Sequence, residues 1–142
     1  MIRLFNMKDY DEVFQLWKKT PGVGLRSIDD SKEGIARFLT RNPSTNFVSV
    51  EEGKITGVIL GGHDGRRGFI YHTCIDEYYR RRSIGRKLVE EVVRAMKAEG
   101  ITKLALVAFK RNTTADQFWR QMGFNTREDL NYYVASLDEN NI

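Results

Sequence analysis

Arg80-Arg81-Arg82-Ser83-Ile84-Gly85-Arg86 is the run of residues richest in chemistry. It stands between an apolar, β-branched stretch (Gly68 to Ile75) and a long amphipathic helical pattern (Ile84 to Glu99). A strand, a tight turn and a helix start in so short a span make an anion cradle. The opening turn of a helix has N–H groups with no intrahelical partner, and the macrodipole adds partial positive charge there. Phosphate suits such a site. Ser83 and Gly85 keep the turn small enough for a ligand to touch the backbone. Arg80, Arg81, Arg82, Arg86 and Lys87 surround it with basic side chains. The turn therefore reads as a diphosphate site. It is neither a P-loop nor a Gly-x-Gly-x-x-Gly dinucleotide turn, since neither pattern occurs in the chain.

A second segment runs downstream: Asn112-Thr113-Thr114-Ala115-Asp116-Gln117-Phe118-Trp119-Arg120-Gln121-Met122-Gly123-Phe124. Together the two segments resemble the GNAT superfamily of acyl-CoA-dependent N-acyltransferases, in its small single-domain bacterial form. The family's Arg/Gln-x-x-Gly-x-Gly/Ala motif reads Arg80-Arg81-Arg82-Ser83-Ile84-Gly85 here. Its Asn, Ala-x-x-Phe-Tyr and Gly-Phe elements read Asn112, Ala115, Phe118, Trp119, Gly123 and Phe124. Two departures stand out. Ser83 replaces the first Gly, and Trp119 stands where the family has Tyr.

The resemblance implies acetyl-CoA as co-substrate, with no metal. The N–H groups from Arg81 to Arg86 would bind its diphosphate, with Arg80, Arg81, Arg82 or Arg86 also reaching phosphate oxygens. Thr73, Cys74 and Ile75 match the strand edge that pairs with pantetheine, a form of strand addition. The Thr73 N–H would polarise the thioester carbonyl. Asn112 would contact the pantetheine region or cap a helix. Phe118 falls among the cofactor-contacting positions, with core packing as its alternative. A Tyr at position 119 would protonate the departing thiolate. The Trp119 indole can only donate a hydrogen bond. Cys74 reads as packing rather than as a nucleophile.

An alkylammonium, with a pKa of about 10.4, must lose a proton before it attacks a thioester. The positions where some family members carry a Glu are Phe69 and Val107 here, which cannot serve. Strict alternation puts Phe69, Tyr71 and Thr73 on one side of their strand and turns His72 away. Tyr71, ordering a water chain, is therefore the leading candidate. His63 and Asp64, in a loop read from Gly61 to Gly68, are further candidates, and so is His72, although alternation turns it from that face. The acceptor site is expected from that loop, the first helices (Trp17, Arg26, Phe38) and a last strand (Tyr132, Tyr133).

The elements that must hold these residues follow from periodicity. Strands are predicted at Ile2–Phe5, 47–50, 54–60, 69–75, 104–109 and 131–137. Helices are predicted at Met7–Lys19, after Asp30 with a capping box to Glu33, at 84–99 and at 112–122. The order is β-α-α-β-β-β-α-β-α-β. It predicts one α/β domain over residues 1–142, with a mixed sheet flanked by helices on both faces. The resemblance adds a splay between the fourth and fifth strands.

Composition bounds the alternatives. The net charge of +4 owes much to the Arg80–Lys87 cluster, and no zinc-finger spacing or RNA-binding signature accompanies it. Nucleic acid is not expected as a partner. The single cysteine excludes an intrachain disulfide framework and suits a reducing cytoplasm. No apolar run approaches a membrane span, and the N-terminus reads as a strand rather than a signal peptide. The expected reaction is acetyl transfer to a small-molecule or protein amine by direct attack in a ternary complex. The rival is an acyl-CoA-binding sensor with little catalysis. Members of the family that the chain resembles often form homodimers.

Overall fold

The computed structural model describes all 142 residues. Five strands form one sheet in chain order: β1 (Ile2–Leu4), β2 (Phe47–Glu51), β3 (Lys54–His63), β4 (Gly68–Ile75) and β5 (Leu104–Ala105). Neighbours from β1 to β4 are antiparallel, and β4 with β5 is parallel. The helices are α1 (Tyr10–Lys19), α2 (Lys32–Arg41), α3 (Ile84–Ala98) and α4 (Thr113–Gln121). Val13, Leu16, Trp17 and Ile35 carry α1 and α2 onto Val48, Val58 and Leu60 on one sheet face. Leu88, Val89, Val92 and Met96 carry α3 onto Phe47, Ile59 and Ile70 on the other. Each such side chain contributes about 1.5–3 kcal/mol by leaving water. The mixed sheet with helices on both faces is the architecture the sequence predicts.

Two details position the site. First, β4 and β5 pair only at Gly68↔Leu104 and Phe69↔Ala105. The predicted strand to Phe109 stops short: residues 106–109 leave the sheet, with Val107 and Phe109 exposed. A V-shaped opening remains between them and Tyr71–Ile75. Second, β4 carries a bulge. Leu60 pairs with Tyr71 and Val58 with Cys74, so one residue of β3 faces two of β4. His72, at φ 41°, absorbs the extra residue.

Other expectations are corrected. The strand predicted at 131–137 does not form; that segment is exposed and joins no ladder. Its β-prone composition finds no partner edge, because the chain beside β4 has already splayed away. Instead Asn140–Ile142 docks on Ser27–Asp29: Ser27 N–H donates to Ile142 O at 2.8 Å, and the Asn141 side chain meets both Ile28 and Asp29. The loop predicted from Gly61 to Gly68 is shorter: Gly61–His63 end β3 and Gly68 opens β4. A Cβ on Gly61 would stand 2.7 Å from Thr45 O, and one on Gly62 2.7 Å from the Phe38 ring, so close packing explains these glycines. The remaining turn is closed by Asp64, which accepts from Arg66 and Arg67 N–H at 2.8 Å each. Ser31, not Asp30, caps α2, accepting from Gly34 N–H at 3.0 Å.

Candidate active site

The turn before α3 is built from main-chain donors. Asp76, 1% exposed, ends β4 by donating its N–H to Thr56 O, and its carboxylate accepts from Tyr78 N–H. The chain then turns through Arg81 (φ 69°) and Ser83 (φ 60°), both left-handed. Alternation of hand along a turn gathers successive N–H groups into an anion-binding concavity. No N–H from Arg80 to Arg86 has an acceptor anywhere in the chain; the first bond at this end of α3 is Lys87 N–H to Ser83 O. The Ser83 hydroxyl caps nothing and is free. Arg80, Arg81 and Arg86 are exposed at the cleft mouth, whereas Arg82 does not line it and lies 5.0 Å from the Tyr79 ring centre.

Gly85 is placed differently from its sequence reading. Its bare side faces Phe118, not the open turn: a Cβ would stand 3.1 Å from Cε1 of that ring. Gly57 does the same on the sheet, where a Cβ would come within 2.9 Å of Ile75 and 3.1 Å of Ile84. These two glycines seat the N-terminus of α3 hard against β3, β4 and α4. Ile84 is buried and anchors the turn.

Along β4, Asp76 faces β3 and Cys74 pairs with Val58 on that side. Alternation then turns the backbones of Thr73 and Ile75 toward the opening. Of the three predicted edge residues, Cys74 is thus committed to β3. Its thiol is buried, and burial pushes its pKa up to about 12, against weaker lowering by Thr20 and nearby cations. The Thr73 hydroxyl is buried without a hydrogen-bond partner.

Across the opening, the Asn112 side chain accepts from Ala115 N–H at 3.0 Å and caps α4. Phe118 and Trp119 are both half-buried and line the cleft, their ring centres 5.0 Å apart. Trp119 also packs edge-on against Phe124 at 5.2 Å.

The cleft, about 2500 Å³, continues past the opening to the face covered by α1 and α2. The bulge changes what stands there. Tyr71 meets Phe38 and Phe69 at ring-centre distances of 5.9 and 4.7 Å. Burial, then Tyr132 and Asp29, raise the Tyr71 phenol above its ordinary value. The extra residue turns His72 to this same face, correcting the expectation that it points away. Its ring lies 5.1 Å from that of Trp17, and Nε2 lies 2.7 Å from Asp30 Oδ1. Asp30, 5% exposed, also accepts from Arg26 N–H at 2.7 Å and, at its carbonyl, from Tyr10 Oη at 2.6 Å. Sequence reasoning gave Asp30 a capping role; the available signal was that Ser31, beside it, caps equally well. Of the expected acceptor residues, Trp17 is core at 1% exposure, Tyr132 lines the cleft, and Tyr133 is 86% exposed.

Residues 10–124 match the model of the acetyltransferase (GNAT) family. Among similar sequences, an acetyltransferase of Yersinia pestis is 28% identical over 91% of this chain and 90% of its own length. An acetyltransferase of Photorhabdus laumondii is 29% identical over 89% and 87%. Among solved structures, the PaiA N-acetyltransferase of Thermoplasma acidophilum, in complex with coenzyme A, superposes with a TM-score of 0.77 at 18% identity, covering 99% of this chain and 94% of that one. An aminoglycoside acetyltransferase from an uncultured soil metagenomic sample gives 0.71 at 19%, covering 97% and 96%. The family match spans the turn before α3, the splayed strands and α4 alike, and the chain belongs to the acetyltransferase (GNAT) family of acetyl-CoA-dependent transferases.

Proposed function

We propose that the protein moves the acetyl group of acetyl-CoA onto a primary amine, of a small molecule or a protein, by direct attack within a ternary complex. One observation carries this reading: a continuous run of unpartnered N–H groups, Arg80 to Arg86, lies at the foot of an unpaired strand edge. The run suits a diphosphate, and the Thr73 and Ile75 backbones suit the amides of an extended pantetheine arm. Thr73 N–H is the donor to the thioester oxygen, an interaction worth about 3 kcal/mol when preorganised. Trp119 offers its indole N–H to the departing sulfur. A CoA thiolate, with a pKa of about 8.5, leaves without obligatory protonation. Cys74, its thiol held protonated by burial, argues against an acetyl-enzyme intermediate. Asn112 and Phe118 support the far wall. Tyr71 stands on the acceptor side, where its hydroxyl orders water or the amine.

The test is calorimetric titration with acetyl-CoA, followed by thiol release over a panel of primary amines. Binding with amine-dependent release is the expected result. Tight binding with no release on any amine would favour the sensor, and no binding would remove the reading altogether.

A further inference from the structure

We infer that His72 and Asp30 form the proton-removing pair of the site, with His72 Nδ1 as general base and Asp30 as its positioning residue. This rests on the acetyl-transfer reading above. Four observations carry it.

The bulge at φ 41° swings the imidazole onto the acceptor face, next to Tyr71 and one residue from the Thr73 N–H. Asp30 Oδ1 holds Nε2 at 2.7 Å. An ionised carboxylate can only accept, so Nε2 carries the hydrogen and Nδ1 keeps its lone pair. Nδ1 has no hydrogen-bond partner in the chain and is not among the sealed, unpartnered polar atoms, so it is open to the cleft. Finally, Asp30 is itself fixed by Arg26 N–H and by Tyr10, and the ring is fixed by Trp17. A lone strand histidine needs no such scaffold.

Charges around the pair are mixed. Of the charged residues lining the same cleft, Asp29 and Arg26 come from the loop that carries Asp30, Glu33 and Arg37 from α2, and Glu139 from the C-terminal segment. Tyr71 and Tyr132 complete the wall. No element sets a second basic side chain in hydrogen-bonding contact with the ring.

The step balances as follows. The ammonium gives one proton to Nδ1, which returns it to solvent. The nitrogen lone pair forms the N–C bond to the acetyl carbon, the C–S bond breaks, and its electron pair leaves on sulfur. The second N–H proton, lost as the amide forms, ends on that sulfur or in water.

The test compares the intact wild-type protein with His72→Gln, His72→Gly and Asp30→Asn, using the amine that gives the fastest thiol release. His72→Gln should lose about a hundredfold in turnover at neutral pH. Its acetyl-CoA affinity and melting temperature should stay unchanged. Its residual rate should keep rising with pH as free amine accumulates, where the wild type levels off. Added imidazole should restore part of the His72→Gly rate. Nitrogen-15 NMR of the wild type should show a protonated Nε2 and a bare Nδ1, and Asp30→Asn should mix the two tautomers. A fully active His72→Gln, or a wild-type Nδ1–H tautomer, overturns the pair alone. A wild type that binds no acetyl-CoA overturns the parent reading and this one with it.

Discussion

The ring of Phe118 fills the space beside Gly85, so that a methyl group on that glycine would stand 3.1 Å from Cε1 and 3.2 Å from Cζ. The two residues belong to different helices, and their contact sets how close α4 comes to the turn before α3. Gly85→Glu should therefore act through packing as well as charge. A loss of about 1–3 kcal/mol is expected from overpacking, read as a lower urea midpoint, together with loss of acetyl-CoA binding. Gly85→Glu combined with Phe118→Ala should regain stability, because the ring is what the new side chain meets. An unchanged midpoint in the double variant relative to the single one would refute the contact's role.

Ser83 sits at φ 60°, ψ 20° with no side-chain cap, where a Cβ is disfavoured by roughly 1–2 kcal/mol. Ser83→Gly should relieve that strain, less the added freedom of the unfolded chain. The expected net is a gain of up to about 1 kcal/mol in denaturant melts, with acetyl-CoA affinity within threefold. A large loss of affinity would show that the hydroxyl, not the turn shape, holds phosphate.

Trp119 is wedged between Phe118 and Phe124 with ring-centre distances of 5.0 and 5.2 Å. Trp119→Tyr places a phenol, an acid with a pKa of about 10, in the same half-buried slot. Acetyl-CoA binding should hold and kcat should rise several-fold as the sulfur gains a proton donor. Equal kcat values would mean that thiolate departure is not limiting.

Cys74 should be chemically silent. With its pKa raised to about 12 by burial, iodoacetamide should label it slowly in the native state and rapidly in urea. Cys74→Ala should keep turnover within threefold. Loss of all turnover in that variant would revive a covalent intermediate.

Asp76 links stability to pH. Burial raises its carboxyl, but the Tyr78 N–H, the Lys19 hydrogen bond at 3.0 Å and the charges of Lys19 and Lys54 outweigh this and leave it below the ordinary value. A carboxyl depressed by folding stabilises the native state above its unfolded pKa of about 3.9 and loses that contribution as pH falls through the folded value. Melting temperature should thus drop below about pH 4. Asp76→Asn should cost about 1–3 kcal/mol at neutral pH and flatten the acid slope. Parallel melting curves for the two proteins would contradict the assignment.

Much of this was legible in advance because it depends on period and punctuation. The α3 stripe from Leu88 to Met96 and the basic turn before it announce a strand, a cradle and a helix without reference to the rest of the chain. His72 was not legible. A bulge is one residue of extra backbone, and no residue type encodes it; alternation counted through position 72 therefore assigns the wrong face to His72. Asp30 and Ser31 are both competent caps, and only the folded imidazole 42 positions away decides which is used. The segment 131–137 has the composition of a strand but lacks an edge to join, and partners are a property of the whole sheet.

The partial pairing of β4 with β5 has one more effect. Unsatisfied strand edges on a protein's rim invite adhesion between molecules. Here the bare stretch from Thr73 to Ile75 lies indoors, in a slot flanked by α3, α4 and the departing chain at 106–109. A visitor must enter that slot to reach it, so the molecule keeps a sticky backbone in service without setting it on the outer rim.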